Sequence, residues 1–225
     1  MKDNSLAIVL VSGGMDSLVC AAHANENHSR LAFLHIQYGQ NTASKEYECF
    51  SKIADYYHVP NDLRLVVNLE TLQKIGGSSL TDKSIQVSKF EGDSDIIPSS
   101  YVPFRNAHIL STAVSWAEVL HATKIYIGAN EEDSPGYPDC RPAYYEAFNT
   151  LIKVGTKNQD IEIHTPVISL NKTEIIEWAN KLKAPLQLTW SCYAQNDKAC
   201  GVCDSCALRL RAFKKLGQQD PIEYN

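Results

Sequence analysis

Residues 6–17 read LAIVLVSGGMDS, a continuous apolar run that leads into a serine and two glycines. Six apolar residues without a polar break are typical of a strand buried on both faces of a parallel sheet. The residues from Asp16 to about Asn25 have a helical pattern. The stretch therefore predicts a strand, a glycine turn and a helix, which together form the first unit of an α/β fold.

The same alternation continues along the chain. Further strands are predicted near 31–36, 63–67, 125–127 and 161–164, and further helices near 44–57, 106–121, 144–154, 171–182 and 207–216. Repeated strand–helix units predict a parallel, Rossmann-like sheet with helices on both faces. The Ser-, Asp- and Gly-rich segment 76–103 lacks this pattern, and loops of such length are commonly functional.

The glycine turn has the features of a phosphate site. Two glycines let the backbone approach an anion, and the helix that follows directs free N–H groups and a positive dipole to the same point. The turn lacks the Gly-Lys-Ser/Thr of a Walker loop and the third glycine of a dinucleotide fingerprint. A tight turn without a ligand is the alternative. The predicted nucleotide-binding residues are Val11, Ser12, Gly13, Gly14, Met15, Asp16, Ser17 and Leu18.

The stretch Ser-Gly-Gly-x-Asp-Ser after a buried strand resembles the signature of the PP-loop ATP-pyrophosphatases. This resemblance implies that ATP binds at the turn and that pyrophosphate is released, leaving AMP on a substrate oxygen. The carboxylate of Asp16 would repel the phosphates unless a cation lay between them. We therefore expect Mg²⁺ at this position.

Four cysteines near the C-terminus have the spacing Cys-x₇-Cys-x₂-Cys-x₂-Cys: Cys192, Cys200, Cys203 and Cys206. Four thiolates without a further donor favour a closed structural Zn²⁺ site. An iron–sulfur cluster is the main alternative, because three of the cysteines also fit a ferredoxin-like spacing. Plain reduced thiols are the other alternative. We predict an ATP-binding domain at 1–185 and a zinc-binding subdomain at 186–225.

Composition restricts the classes of function. The formal net charge of −5 argues against a large non-specific nucleic-acid surface, so no nucleic-acid partner is expected. The apolar run 6–11 is too short to span a bilayer and lacks the features of a signal peptide. A cytoplasmic location without membrane attachment is expected, where seven cysteines favour metal ligands and core thiols over disulfides.

With both motifs in view, the chain resembles the 7-cyano-7-deazaguanine synthases of queuosine biosynthesis over nearly its whole length. Besides the phosphate loop and the cysteines, the resemblance rests on YGQ at 38–40, VPFRN at 102–106, GAN at 128–130, GYPDCR at 136–141 and TWSCY at 189–193. It implies a ligase that converts 7-carboxy-7-deazaguanine, ammonia and ATP into a nitrile through an adenylated acid and an adenylated amide. It also implies a homodimer.

The resemblance suggests roles for residues outside the two motifs. Lys172 begins a helix, where a cation is unfavourable for the dipole, and is expected to reach the phosphates. Arg105 is expected to pair with a phosphate or with the substrate carboxylate through its planar guanidinium. Asp16, Lys172 and Arg105 form the predicted catalytic set. The alternatives for Lys172 and Arg105 are a solvated surface lysine and a structural salt bridge. The predicted substrate contacts are Tyr137, Asp139, Arg141 and Trp190, and for Tyr137, Asp139 and Trp190 the alternative is loop packing.

Other functions remain open from the sequence alone. The chain is compatible with another PP-loop adenylating ligase, with a family member repurposed toward another acceptor, or with a non-catalytic zinc-ribbon module. The last reading would need a basic face near the cysteines. The available cations, Lys198, Arg209, Arg211, Lys214 and Lys215, are better interpreted as the solvated surface of the final helix. His35 and His164, on apolar strands, are interpreted as core residues.

Overall fold

The computed structural model describes residues 2–82, 84–87, 97–131 and 137–225. Within these residues, five strands form one parallel sheet: β1 Asp3–Leu10, β2 His28–Gln37, β3 Arg64–Asn68, β4 Lys124–Ile127 and β5 Glu162–His164. Seven α-helices of the described ranges lie between and after them: α1 Met15–Asn27, α2 Ala43–Tyr56, α3 Glu70–Ile75, α4 Arg105–Leu120, α5 Pro142–Gly155, α6 Lys172–Lys181 and α7 Asp204–Lys215. The predicted α/β class and the parallel Rossmann-like core are confirmed.

The strand order explains where a ligand can bind. The sheet runs β3-β2-β1-β4-β5, and every pairing is parallel. The chain first builds outward from β1 through β2 to β3, and then crosses back to place β4 on the other side of β1. The carboxyl ends of β1 and β4 therefore form the topological switch point, where open α/β sheets bind their ligands.

The central strand is the core of the molecule. Ala7, Ile8 and Val9 are completely buried, because β1 has neighbours on both edges and helices on both faces. The continuous apolar run of the sequence reflects this double burial. Cys20 and Cys49, which lie outside the four-cysteine group, are buried in helices α1 and α2. None of the helices in the described chain is both long and apolar enough to cross a membrane.

The segment after β3 differs from its sequence pattern. Glu70–Ile75 forms the short helix α3, which the sequence did not predict, and Leu72 anchors it in the core. Six residues are too few to carry a helical period, so tertiary packing supplies the stability that propensity cannot. The predicted loop 76–103 follows α3 and has no helix or strand in its described part, and residues 83 and 88–96 lie outside the described residues.

Three histidines surround Tyr126 in β4. The Nε2 atom of His28 lies 2.9 Å from the Tyr126 hydroxyl, and the rings of His23 and His164 lie 5.9 and 5.3 Å from the Tyr126 ring. Burial lowers the pKa of all three histidines from its ordinary value, because the charged imidazolium loses its solvation. The fold therefore favours the neutral form of the cluster.

This cluster predicts an acid-side loss of stability. Below a pH of about 6.5 the unfolded chain binds more protons at these histidines than the folded chain does, so the free energy of unfolding falls as the pH decreases from 7 to 5. The variant His28→Gln should lose less stability over this interval than the wild type, measured by urea unfolding at each pH. His108→Gln, at an exposed position on α4, is the matched control. An equal loss in His28→Gln and the wild type would contradict the prediction.

Candidate functional site

The phosphate loop joins β1 to α1 at the switch point. Gly13 has φ +91°, and a Cβ on it would lie 2.6 Å from the Glu46 carbonyl oxygen, so this position requires glycine. The Ser17 hydroxyl donates to the Gly14 carbonyl at 2.9 Å and accepts from the Ser12 hydroxyl at 3.1 Å and the Ser12 amide at 3.2 Å. Ser12 and Ser17 therefore brace the loop around its two glycines.

The amino-terminal end of α1 is open to a ligand. Gly14 is its N-cap and supplies no side-chain cap hydrogen bond, so the first N–H groups of the helix are available to an anion. The loop after β4 closes against this end. A Cβ on Gly128 would lie 2.7 Å from the Ser17 amide nitrogen, so only glycine lets the two loops approach this closely.

One cavity of about 270 Å³ lies above this loop. Six of the eight predicted nucleotide-binding residues line it, namely Val11, Ser12, Gly14, Met15, Asp16 and Ser17. Gly13 and Leu18 do not. Gly13 shapes the turn, and Leu18 is completely buried in the core.

Lys172 and Asp16 meet in the cavity wall. The Lys172 Nζ lies 2.8 Å from both carboxylate oxygens of Asp16, and both side chains are largely buried. Lys172 is held there by the first turn of α6, which begins with a capping box. The Asn171 side chain accepts from the Glu174 amide at 3.0 Å, and the Glu174 carboxylate accepts from the Asn171 amide at 2.8 Å. The structure thus joins two predicted catalytic residues that are 156 positions apart.

Asn130 fixes the approach of this helix. Its side-chain amide donates to the carbonyls of Val167 and Leu170, the former at 3.0 Å, and so ties the loop after β4 to the segment before α6. Asn130 also lines the cavity. Asn130 is not among the predicted site residues, although its place directly after a strand's carboxyl end is the signal that could have identified it.

Arg105, at the start of α4, also lines the cavity. Its Nη1 atom donates to the Tyr38 hydroxyl at 2.9 Å, and its guanidinium lies 5.2 Å from the centre of the Tyr38 ring. Its Nε is buried and forms no hydrogen bond in the described chain. The cavity is therefore lined by two cations, Lys172 beside the phosphate loop and Arg105 at the start of α4. Such a site suits a substrate with several negative charges.

The four predicted substrate residues separate into two groups. Tyr137 and Trp190 line the cavity. The Tyr137 hydroxyl is hydrogen-bonded to Ser100 at 2.8 Å, and the Trp190 amide donates to the Gly13 carbonyl at 2.9 Å. The 190–193 segment therefore rests directly on the phosphate loop. Gly136, which precedes Tyr137 in the quoted sequence, lies outside the described residues.

Asp139 and Arg141 do not line the cavity within the described chain. Asp139 is buried, and its carboxylate accepts from the Asn106 backbone amide at 3.3 Å, so it satisfies an N–H group in the first turn of α4. Burial raises the pKa of this carboxyl. Arg141 is exposed and precedes α5 as its N-cap. Their contact with a substrate stays a prediction that the cavity geometry does not support.

His35 has a supporting position below the loop. It is completely buried in β2, and its Nδ1 group donates to the Val11 carbonyl at 2.9 Å. Burial lowers the pKa of His35 from its ordinary value. Its interpretation as a core residue agrees with this burial. His164, the other histidine interpreted in this way, is only partly buried and lies 3.1 Å from the Glu162 carboxylate.

The four cysteine sulfurs converge at one point. All four Sγ atoms lie within 4.8 Å of one another, and those of Cys200 and Cys206 are 4.0 Å apart. A tetrahedral Zn²⁺ with bonds of about 2.3 Å separates its sulfurs by about 3.8 Å. The sulfurs of an iron–sulfur cluster must lie further apart, because the cluster itself lies between them. The donor set and spacing therefore fit a single ion.

Backbone amides support thiolates at this centre. The amides of Ala194, Gln195 and Cys200 donate to the Cys192 sulfur at 3.4, 3.3 and 3.4 Å. Hydrogen bonds from the Cys203 and Cys206 thiols and from these amides lower the pKa of Cys192 from its ordinary value. Cys206 lies in the first turn of α7, where the helix dipole also favours a negative charge.

The interpretation of Arg209 as a solvated cation is wrong. Arg209 is completely buried, and its guanidinium donates to both carboxylate oxygens of Asp220 at 2.7 and 2.9 Å. It also donates to Thr189 at 2.7 Å and to Ser191 at 3.2 Å. Arg209 therefore ties the C-terminal tail to the segment that carries Trp190 and Cys192.

Comparison with known proteins identifies the family. Residues 6–217 match the family model described as queuosine biosynthesis protein QueC. The chain is 56% identical over 219 residues to the 7-cyano-7-deazaguanine synthase of Chlorobium phaeobacteroides (strain DSM 266), with 97% of this chain and 96% of that protein covered. It is 57% identical to the 7-cyano-7-deazaguanine synthase of Chloroherpeton thalassium, with the same coverage of each chain.

Among solved structures, a 4-thiouridine synthetase in complex with RNA and bound ATP is similar with a TM-score of 0.52 and 19% identity. The likeness covers 96% of this chain and 50% of that one, and at this identity it shows the fold alone. The family model matches residues 6–217, and this range contains the phosphate loop and all four cysteines. The chain belongs to the QueC family of queuosine biosynthesis proteins.

Proposed function

We propose that this protein is a 7-cyano-7-deazaguanine synthase, an ATP-dependent ligase that converts 7-carboxy-7-deazaguanine and ammonia into the corresponding nitrile. The observation that carries the proposal is that the phosphate loop, Lys172 and Arg105 line the same cavity. The family membership supports it. A carboxylate or amide oxygen is a poor leaving group, and adenylation converts it into AMP, which leaves easily.

The steps follow from that logic. A carboxylate oxygen of the substrate attacks the α-phosphorus of ATP and displaces pyrophosphate. Ammonia then attacks the acyl carbon, AMP leaves, and an amide with one released proton results. The amide oxygen is adenylated by a second ATP, and loss of AMP and the remaining N–H protons gives the nitrile. Each adenylation moves negative charge onto the departing pyrophosphate, which the phosphate loop and Lys172 are placed to stabilise.

The assignments of individual residues follow from their positions. The free N–H groups at the start of α1 hold the phosphates, with Val11, Ser12, Gly13, Gly14, Met15, Asp16, Ser17 and Leu18 as the nucleotide-binding segment. Lys172 neutralises phosphate charge, and Arg105 holds the substrate carboxylate. Tyr137 and Trp190 supply aromatic surface for the deazapurine ring. Mg²⁺ is proposed between Asp16 and the phosphates, where it would shield their charge.

The product distribution tests the function directly. The protein is incubated with ATP, Mg²⁺, ammonium and 7-carboxy-7-deazaguanine, and the products are analysed by mass spectrometry. Nitrile and AMP are expected. ATP cleavage to ADP alone, or AMP without nitrile, would contradict the proposal. A parallel incubation without ammonium should stop before the amide.

We propose Zn²⁺ at Cys192, Cys200, Cys203 and Cys206, as a structural ion with no part in the chemistry. One zinc per chain is expected from elemental analysis. Cys203→Ser should lose the zinc and unfold at lower temperature, because metal binding contributes folding free energy. Cys49→Ser is the matched control, since Cys49 is buried in the same apolar cluster without joining the four sulfurs. Iron without zinc in the wild type would contradict the assignment.

The domain boundary, the location and the oligomeric state remain proposals. The proposed division at 185/186 separates the sheet from the cysteine segment, although Trp190, Cys192 and Tyr193 of that segment line the main cavity. We retain a homodimer in the cytoplasm without a nucleic-acid partner as the working assignment. Size-exclusion chromatography with light scattering tests the dimer.

A further inference from the structure

A second, smaller cavity adjoins the main one, and we refer to it as the side chamber. Its volume is about 80 Å³, and it lies between the loop after β2 and the start of α2. Six of its ten lining residues also line the main cavity: Tyr38, Glu46, Ser100, Arg105, Tyr137 and Tyr193. The two spaces therefore share a wall, and Arg105 stands on their boundary.

A fixed carboxylate is the main feature of the side chamber. Glu46 Oε1 accepts from the Thr42 hydroxyl at 2.7 Å, and Oε2 accepts from the Gln40 side-chain amide at 2.8 Å. Gln40 and Thr42 are both buried, and the Gln40 side-chain oxygen accepts from the Tyr38 amide at 2.8 Å. These partners are neutral donors, and no ion pair to Glu46 forms within the described chain. The charge of Glu46 is held in place but not neutralised by a protein cation.

The rest of the side chamber is lined mainly by polar residues, and its volume suits only a small ligand. Tyr38, Ser100 and Tyr137 line it, and each carries a hydroxyl group whose oxygen can accept a hydrogen bond. An ammonium ion is about the size of a water molecule and carries four N–H donors, so a chamber of this volume admits it. A fixed carboxylate with several hydroxyl oxygens around it is the chemistry that binds a small, strongly hydrated monocation.

We propose that the side chamber binds ammonium and supplies ammonia to the adenylated substrate, an inference that rests on the proposed function. The proton of NH₄⁺ passes to the Glu46 carboxylate, leaving NH₃ and a neutral carboxyl. The ammonia lone pair then forms the C–N bond, the C–O bond to AMP breaks, and one N–H proton is released to solvent as the amide forms. The Glu46 proton returns to solvent.

The variant Glu46→Gln tests the proposal. It retains the shape of the side chain and removes the charge, so the KM for ammonium should rise about tenfold or more, at saturating ATP and 7-carboxy-7-deazaguanine. The KM for ATP should change less than about twofold, because the substitution leaves in place the Glu46 main chain, whose carbonyl packs against Gly13 of the phosphate loop. Glu48→Gln is the matched control on the same helix, since Glu48 is exposed and paired with Lys45 and Lys52.

The pH dependence provides a second readout. If the enzyme captures only free ammonia from solution, the KM for total ammonium falls as the pH rises from 7 to 8.5, in inverse proportion to the neutral fraction. Binding of ammonium at Glu46 predicts a nearly constant KM over this range in the wild type and restored pH dependence in Glu46→Gln. An unchanged KM for ammonium in Glu46→Gln, or an equal rise in the KM for ATP, would overturn the proposal.

Two further measurements distinguish a failure of the side-chamber proposal from a failure of the proposed function. If Glu46→Gln does not fold, Thr42→Val removes the hydroxyl that positions Glu46 and should raise the KM for ammonium by a smaller factor, with the KM for ATP unchanged. An unchanged KM for ammonium in Thr42→Val would also contradict the proposal that the side chamber binds ammonium. Failure of the wild type to form nitrile at any ammonium concentration would instead refute the proposed function.

Discussion

Replacing Asp16 with alanine is expected to lower the kcat for nitrile formation by a factor of about a thousand, with the fold retained. Asp16 is the side chain where the phosphate loop, Lys172 and the proposed Mg²⁺ meet, and it holds Lys172 through two contacts of 2.8 Å. Removing one well-placed electrostatic group from an active site costs about 10²–10³ in kcat. Asp16 orients both a lysine and the proposed ion, so its loss should reach the upper end of that range.

Controls separate chemistry from folding. Glu26→Gln changes an exposed carboxylate at the other end of the same helix and should leave turnover unchanged. Circular dichroism should show the same helix content in all variants. Lys172→Ala and the double variant Asp16→Ala/Lys172→Ala complete a cycle, and we expect the double variant to be little worse than Asp16→Ala alone, because the two residues act as a unit. Undiminished nitrile formation by Asp16→Ala would remove the loop from the mechanism.

Replacing Arg209 with methionine is expected to lower the free energy of unfolding by about 3–5 kcal/mol, the cost of breaking a buried ion pair from one side. Arg209 is completely buried, and Asp220 would be left with an uncompensated charge beside Tyr224, whose hydroxyl donates to it at 2.6 Å. Urea unfolding measures the change. The substitution would also remove the hydrogen bond from Arg209 to Thr189. The cavity wall formed by Trp190 should then become more mobile, and the KM values for the substrates should rise.

The matched control for this prediction is Lys215→Ala, at an exposed position on the same helix, which should cost little. The double variant Arg209→Met/Asp220→Leu should recover much of the lost stability, because two apolar side chains leave no buried charge. A decrease of less than about 1 kcal/mol in the free energy of unfolding of Arg209→Met would contradict the prediction, because it would show that other groups compensate the charge of Asp220.

The error over Arg209 has an identifiable cause. Cys206, Arg209 and Phe213 lie at helical spacings of three and four, so they share one face of α7, and all three are buried. Arg209 was interpreted as solvated because of its charge and because of the other cations near it in the sequence. Its position on the apolar stripe was the more informative signal, since a buried arginine is stable where a carboxylate can reach it. That carboxylate, Asp220, lies beyond the helix, where no helical period indicates it.

The sequence by itself determined the succession of strands and helices, the phosphate loop, the capping box of α6 and the four-cysteine group. Each of these depends on residues a few positions apart, so hydrophobic periodicity and short spacing are enough to encode it. The short helix α3 was missed for the complementary reason, because one buried leucine in six residues gives no period.

Only the tertiary structure decided which distant residues meet. The strand order places β4 against β1, and this one pairing brings the 128–130 loop and Lys172 to the phosphate loop and Asp16. The same packing sets Arg105 against Tyr38 and encloses the side chamber beside Glu46. Contacts between residues so far apart in the chain depend on how layers stack, and that information is distributed over the whole core instead of residing in any local pattern.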